Sequence, residues 1–339
     1  LRTISVLMTV YNGEKYVIDA IQSILNQTFQ DFELIIVDDG STDQTVNLIR
    51  GISDERISLH TLPRNMGVGY ANNYAVQFAV GKYIAKMDAD DISYPERLAT
   101  QFEFLEKNAQ VGIVDSFVNF FTESESVEKS QRFKDYKEIY SSHINKYYDY
   151  KTLKKELFWY CNIVHSAVMY RRELTKFFNY PLDMKICEDY SFFYRMNQKG
   201  IIFHKIPSFL LFVRLSENSI TATKTEEMLK NVFKIKKNDI STFIKENEKP
   251  IAIWGASNLG KMTCNYIRNN FNVRPNVFID SNIKKEDGRQ LQNINIVNPN
   301  EIEFHEYKFF VASSYGKFQI AEQLEQKGLE NIKDYFVVF

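Results

Sequence analysis

The chain has 339 residues, 44% of them hydrophobic and 25% charged, an ordinary composition for a soluble protein with room for two cores. Its 42 basic and 43 acidic side chains leave a formal net charge of -1, so no global electrostatic footprint points to nucleic acid. Three widely spaced cysteines (Cys161, Cys187 and Cys264) offer neither a disulfide framework nor a zinc site, and suit a reducing compartment.

The first hundred residues alternate strand and helix. Ile4–Val10 reads as a buried strand and Lys15–Gln27 as a helix, with Val17, Ile18, Ile21, Ile24 and Leu25 at helical spacing. Glu33–Val37 predicts a second strand, closed by Asp38-Asp39-Gly40. Ser41-Thr42-Asp43-Gln44 has the form of a capping box opening a helix to about Arg50. A third strand over Ile57–Leu62, a helix over Tyr70–Val80 and a fourth strand ending at Met87 follow. Such alternation predicts a mostly parallel sheet covered by helices, in which ligands gather at the carboxyl ends of the strands. Asn12-Gly13, Asp38-Asp39 and Asp88–Asp91 all fall there.

Val111–Phe121 predicts another strand, and residues 122–158 a loop-and-helix insertion. Strand character returns over Ser166–Tyr170, a helix over Tyr190–Gln198, and two strands over Ile201–Pro207 and Phe209–Arg214. A Lys-rich helical connector then leads to a second α/β pattern. The expected division is 1–224, a connector over 225–249, and a second domain over 250–339. No apolar run approaches the roughly 18 residues that span a bilayer, and Leu1–Ser5 enters a strand pattern directly with no signal peptide. A cytoplasmic location, with the inner face of a membrane as its one alternative, is therefore expected.

The run Lys82-Tyr-Ile-Ala-Lys-Met-Asp88-Ala89-Asp90-Asp91 ends an apolar strand in three carboxylates. In a strand, Asp88 and Asp90 share one side. Acids so close repel one another unless a cation lies between them, and hard oxygen ligands suit Mg²⁺ or Mn²⁺. A solvated turn with Asp91 near the cap of a helix starting at Pro95-Glu96 explains an isolated motif of this kind equally simply.

Other motifs supply context. Ser5–Gly13, Ser23–Phe29 with Phe32–Ser41, Asn65-x-Gly67, Ala71-Asn72-Asn73, Gly81–Ile84 leading into Asp88-x-Asp90, Val164–Arg172 and Cys187–Tyr190 occur in an order that resembles family-two inverting glycosyltransferases of the GT-A fold, over roughly two thirds of the chain. The resemblance implies transfer of one sugar from a UDP-sugar to a glycan or lipid-linked acceptor. It places Asp88, Asp90 and Asp91 at a Mn²⁺ or Mg²⁺ site, and implies that Asp39 bonds the uracil imide with Thr9, Val10, Tyr11 and Asn12 around the base. Asn65, Asn73, Ala89 and His165 would complete the donor site, His165 near the phosphates. Asp189 is the implied general base, with Glu188 beside it, although acids also favour a helix start at this point.

Arg214, Ser219 and Thr221 fit a closing-loop pattern in which Val213 and Ser216 replace the usual Tyr and His. Asn72 stands where an Arg is frequent, and Thr9 where the first turn commonly has Pro. The absence of a Gln-x-x-Arg-Trp run argues against a processive polymerase.

Gly255-x-Ser257-x-x-Gly260, between a strand and a helix and followed by Asp280, predicts a Rossmann-like accessory domain. Ser257 replaces the middle glycine, which argues against tight dinucleotide binding; a regulatory or homo-oligomeric assembly role fits better. Lys151–Trp159 mixes basic and apolar residues in a way compatible with peripheral membrane association, although a packed helix with solvated lysines accounts for it more simply. Two other functions remain to be separated: a nucleotide-sugar oxidoreductase or epimerase acting through the second domain, and a non-catalytic sugar-binding protein.

Overall fold

The computed structural model describes residues 2–217, 225–246, 248–283, 289–314 and 316–338, which form two compact units, 1–225 and 226–339. Ser219 and Thr221 lie outside the described residues.

In the first unit, β1 (Ile4–Val10), β2 (Phe32–Asp38), β3 (Ile57–Thr61) and β4 (Tyr83–Asp88) lie parallel in the order β3-β2-β1-β4. The near-continuous apolar run of β1 matches its burial on both faces. The short β5 (Ile92–Ser93), β6 (Val111–Phe121), β7 (Met169–Arg171) and β8 (Ile202–Arg214) extend the sheet as β4-β7-β6-β8-β5, with β7 antiparallel to both its neighbours. Helix Val17–Leu25 buries Val17, Ala20, Ile21 and Ile24, the stripe its spacing predicts.

Three local expectations differ, at the 201–214 strands, the 41–44 capping box and residues 165–167. The two strands expected at 201–214 are one, β8. Pro207 and Ser208 lie between Ile206, opposite Ser116, and Phe209, opposite Phe117, so an irregularity in the ladder accommodates the proline. The capping box at 41–44 does not form. Helix Thr45–Arg50 starts later, and Asp43 Oδ1 accepts from the Thr45 amide at 3.0 Å while Ser41 bonds elsewhere. Residues 165–167 make a 3₁₀ turn before β7 instead of a strand. Helices over 125–128, 131–135, 141–144 and 150–157 fill the insertion, and Val127, Phe133 and Ile144 reach the sheet core.

In the second unit, β9 (Ile251–Trp254), β10 (Val277–Ile279), β11 (Gln290–Leu291), β12 (Ile294–Val297), β13 (Lys308–Val311) and β14 (Tyr335–Val337) are ordered β11-β12-β10-β9-β13-β14. All pairings are parallel except the β11–β12 hairpin, which turns at Gln292 and Asn293, both at positive φ. The expected connector belongs to this unit. Helices Thr225–Ile235 and Lys237–Lys245 place Leu229, Phe233, Ile240 and Phe243 in its core. Gly260 packs so closely that an added Cβ would lie 1.9 Å from the Gly255 carbonyl oxygen, so these glycines serve helix–strand packing.

Candidate active site

The sheet brings the sequence-predicted residues to one edge. Thr9 stands opposite Asp88, and Val10 opposite Asp38, so the ends of β2, β1 and β4 present their loops side by side. After β1, Tyr11 is exposed and Asn12 adopts a left-handed conformation (φ 50°), which asparagine tolerates. The Asn12 amide donates to Ser41 Oγ at 2.8 Å, and its Oδ1 accepts from the Thr42 amide at 2.9 Å. Asn12 thereby fastens the β1 loop to the β2 loop.

Asp39 is 4% exposed, and its two oxygens accept from the Met66 and Gly67 amides at 2.7 and 2.9 Å. Burial raises its pKa, and those two N–H groups oppose the shift. Gly40 (φ +74°) lets residues 64–65 lie against this turn, because a Cβ there would meet the Arg64 backbone at 2.4 Å. Asn65 is exposed at the same rim. Asp38 is also buried: Oδ2 accepts from the Ser41 amide, while Oδ1 has no hydrogen-bond partner.

Asp88, Ala89 and Asp90 are partly exposed at the end of β4, and no hydrogen bond is recorded to the Asp88 or Asp90 side chain among the described residues. Burial raises both carboxyls, Asp90 to about 6 with the Asp88 charge adding to the effect. Asp91 requires a correction. It is 3% exposed, its Oδ2 accepts from Ser166 Oγ at 2.5 Å, and its Oδ1 accepts from the Arg214 amide at 2.9 Å. It therefore ties β8 and the 165–167 turn to the motif, and both its oxygens are engaged within the fold, unlike the carboxylates of Asp88 and Asp90.

Glu188 and Asp189 open helix Glu188–Gln198, following Cys187 in a left-handed conformation (φ 62°). Burial pushes Asp189 up to about 6; the Tyr190 amide opposes the shift and the Asp88 charge adds to it. Glu188 rises to about 8 through burial, then the charges of Asp189 and Asp88. Asp88 thus acts on both members of the pair, which couples the two halves of the predicted site across 100 residues of sequence. His165 is held neutral by burial and by Lys86, and its Nε2 lies 2.8 Å from Tyr180 Oη. Asn73 clasps the Tyr180 backbone, donating to its carbonyl at 2.9 Å and accepting from its amide at 2.8 Å.

Lys86 and Arg97 carry no signal in the sequence, since each looks like an ordinary strand or helix residue, while Arg214 is named there only in a closing-loop pattern. Lys86 is fully buried and donates to Asn72 Oδ1 at 2.6 Å; burial lowers it to about 8. Arg97 donates to the Lys86 carbonyl at 2.6 Å. Arg214 donates from Nε to the Asp90 carbonyl at 2.8 Å, pairs with Glu123, and lies over the rings of Tyr16 and Phe121 at 4.2 and 4.5 Å. These buried positive charges offset the carboxylates above them.

Among the described residues no three His, Cys, Asp or Glu side chains converge as a complete metal cage. The pair Asp88 and Asp90 nevertheless fits a hard divalent cation, which commonly takes one or two protein carboxylates and completes its shell with water and phosphate oxygens. No helix among the described residues is long and apolar enough to cross a membrane.

Residues 5–178 match the family described as Glycosyl transferase family 2, and residues 246–333 match a family described as C2185-like, N-terminal. An uncharacterized glycosyltransferase of Methanocaldococcus jannaschii is 34% identical over 66% of this chain and 76% of its own length. The Escherichia coli UDP-Glc:alpha-D-GlcNAc-diphosphoundecaprenol beta-1,3-glucosyltransferase WfaP is 29% identical over 69% of this chain and 86% of its own. Among solved structures, S. aureus TarS 1-349 in complex with UDP superposes with a TM-score of 0.52 at 18% identity, covering 80% of this chain and 72% of that one. The mannosyltransferase PcManGT from Pyrobaculum calidifontis, in complex with GDP-Man and Mn2+, gives 0.53 at 18% identity over 70% and 64%. These structural likenesses establish a GT-A fold for the mixed sheet, and with the sequence match to half the chain they make this protein a glycosyltransferase of family 2.

Proposed function

We propose that this enzyme moves a single sugar from a UDP-sugar to the hydroxyl of a glycan or lipid-linked acceptor, with inversion at the anomeric carbon and Asp189 as general base. The observation that carries the proposal is the shared edge at which parallel β2, β1 and β4 end, with Val10 opposite Asp38 and Thr9 opposite Asp88; the Asp88 charge adds to the burial that raises Asp189. UDP in the TarS complex and the diphosphoundecaprenol acceptor in the name of the E. coli relative support the choice of donor and acceptor class.

Asp88 and Asp90 would hold Mn²⁺ or Mg²⁺, which when bound supplies Lewis-acid stabilisation of charge growing on the leaving diphosphate. The other roles belong to the chain itself. Tyr11, exposed at the end of β1, offers a ring face to the base, and Asp39, on the neighbouring loop after β2 with its amide donating to the Val10 carbonyl, would accept from the uracil imide through a lone pair left beside its Met66 and Gly67 bonds. Arg214 and Asp91 fix the loop that presents Asp90. The helix start at Glu188 fixes Asp189, whose raised pKa makes it a stronger proton acceptor than an ordinary surface aspartate. Departure of the acceptor proton to Asp189 accompanies attack of the oxygen on the face opposite the diphosphate. Glu188 is buried, and burial with the Asp189 charge raises its carboxyl to about 8, so it is the poorer base of the pair only in being held protonated near neutrality. The second unit's strand order suits a Rossmann-like accessory module without a demonstrated ligand.

A screen of nucleotide-sugars with Mn²⁺, reading release of UDP, tests the donor. Asp189→Asn should reduce transfer by roughly 10² to 10⁴ while UDP affinity stays within about twofold. Undiminished transfer by that variant removes Asp189 from the mechanism.

A further inference from the structure

The segment between β7 and the helix that starts at Glu188 exposes the two most solvent-accessible large apolar side chains among the described residues, Phe177 at 78% and Leu182 at 68%. Exposed apolar side chains scattered singly are normal and need no account. These two differ because they stand in one short segment with exposed Arg172, Lys176 and Lys185, against Glu173 and Asp183.

The segment is also fastened to the active site. Asn73 grips the Tyr180 backbone at both its amide and its carbonyl, and Tyr180 Oη meets His165. Pro181 lies so close to helix Val68–Val76 that a Cβ on Gly69 would come within 2.3 Å of the Pro181 carbonyl oxygen. Arg195 adds a further bond to the Asn179 carbonyl. The apolar tips therefore project from a braced backbone, seven residues before Asp189 in the case of Leu182.

We propose that this rim, residues 172–185, docks on the interfacial zone of a bilayer that carries anionic headgroups, and so holds Asp189 beside an acceptor whose diphosphate-linked sugar stands on that surface. The inference rests on the lipid-linked reading of the acceptor given above. Phe177 and Leu182 enter the boundary between headgroups and acyl chains, and the basic side chains meet the headgroups, the arrangement by which peripheral proteins bind anionic membranes. A second copy of the chain is a poorer occupant. The two tips offer on the order of 300 Å², whereas a stable interface takes about 800 Å² from each partner.

The test uses the full chain with sedimented vesicles, of phosphatidylcholine alone or with phosphatidylglycerol. The wild-type protein is expected to pellet with the anionic vesicles and far less with the neutral ones. Phe177→Ser/Leu182→Ser should lower the partition coefficient about tenfold or more, and Lys176→Glu/Lys185→Glu should erase the preference for phosphatidylglycerol. UDP affinity and transfer to a soluble acceptor, measured on the same samples, should not change in either double variant. Wild-type protein that stays in solution with anionic vesicles overturns the proposal, as does equal pelleting of the Ser/Ser variant. A dimer seen by light scattering in wild type and absent from Ser/Ser overturns it in favour of self-association. Failure of UDP binding in wild type would instead strike the donor assignment, leaving the vesicle result to be read separately.

Discussion

Arg214 holds the Asp88–Asp91 loop at two points: its amide donates to Asp91 Oδ1 at 2.9 Å, and its Nε to the carbonyl of the adjacent Asp90 at 2.8 Å. The guanidinium is almost wholly enclosed, pairs with Glu123 and lies against Tyr16 and Phe121. A lysine cannot reproduce this fork and stack. Arg214→Lys is therefore expected to weaken Mn²⁺-supported UDP binding roughly tenfold, the scale of one hydrogen bond to a charged group. Metal-free UDP binding should hardly move. Calorimetric titration with and without Mn²⁺ checks it, and equal loss under both conditions would indicate a general packing defect.

Asp90→Asn should separate stability from function. The Asp90 carboxyl is raised from 3.8 to about 6, so above that pH the fold holds an ionised group it disfavours. The sign follows directly: a raised carboxyl pKa makes stability fall as pH climbs from the unfolded value through the folded one, and an amide removes that loss. In metal-free buffer near pH 7.5 the variant should melt roughly 2–4 °C higher, corresponding to about 1 kcal/mol. The stabilisation that Mn²⁺ with UDP gives to wild type should vanish. Scanning calorimetry with and without the ligands decides it.

The pH profile of transfer offers a separate check. Asp189 acts as a base only when ionised, and burial with the Asp88 charge raises it to about 6. The value of kcat/KM should climb about tenfold per pH unit below 6 and level off above 7. Asp88→Asn removes one source of the shift, so whatever activity remains should show its acidic limb at lower pH. A profile flat from pH 5 to 8, with chemistry rate-limiting, contradicts the assignment.

Gly40 tests how the turn after β2 is built. Its φ of +74° disfavours any L side chain, and a Cβ would meet the Arg64 backbone at 2.4 Å. Gly40→Ala should destabilise the first unit by about 1–3 kcal/mol, because the neighbouring atoms are main chain and yield poorly. Loss of UDP affinity should accompany it, since Asp39 and the 64–67 loop share that turn. Urea unfolding gives the first quantity and UDP titration the second.

The parts legible in the sequence are those written in consecutive residues. The strands β1, β2 and β4 announce themselves as apolar runs, and the polar residues after β1 with the acidic ends of β2 and β4 gather because parallel strands share one edge. Cross-chain bonds were not legible. Asn73 resembles a ligand-binding residue in the motif, yet its amide is engaged by Tyr180, 107 positions away. Asp91 resembles a third metal ligand, and only the return of β8 shows that Arg214 and Ser166 occupy its oxygens. The break expected at Pro207 was a local signal that the β6–β8 ladder absorbed. The helices over 225–245 follow the sequence pattern, but their place in the second core is not legible there, because the partners of Leu229, Phe233, Ile240 and Phe243 lie farther along the chain.

The clasp between Asn73 and Tyr180 reads only main-chain atoms of the rim. Residues on either side of that anchor can therefore change identity without altering the pose of the helix that follows. A lineage of such enzymes can rewrite which acceptor it meets, one outward side chain at a time, while its chemistry stays fixed.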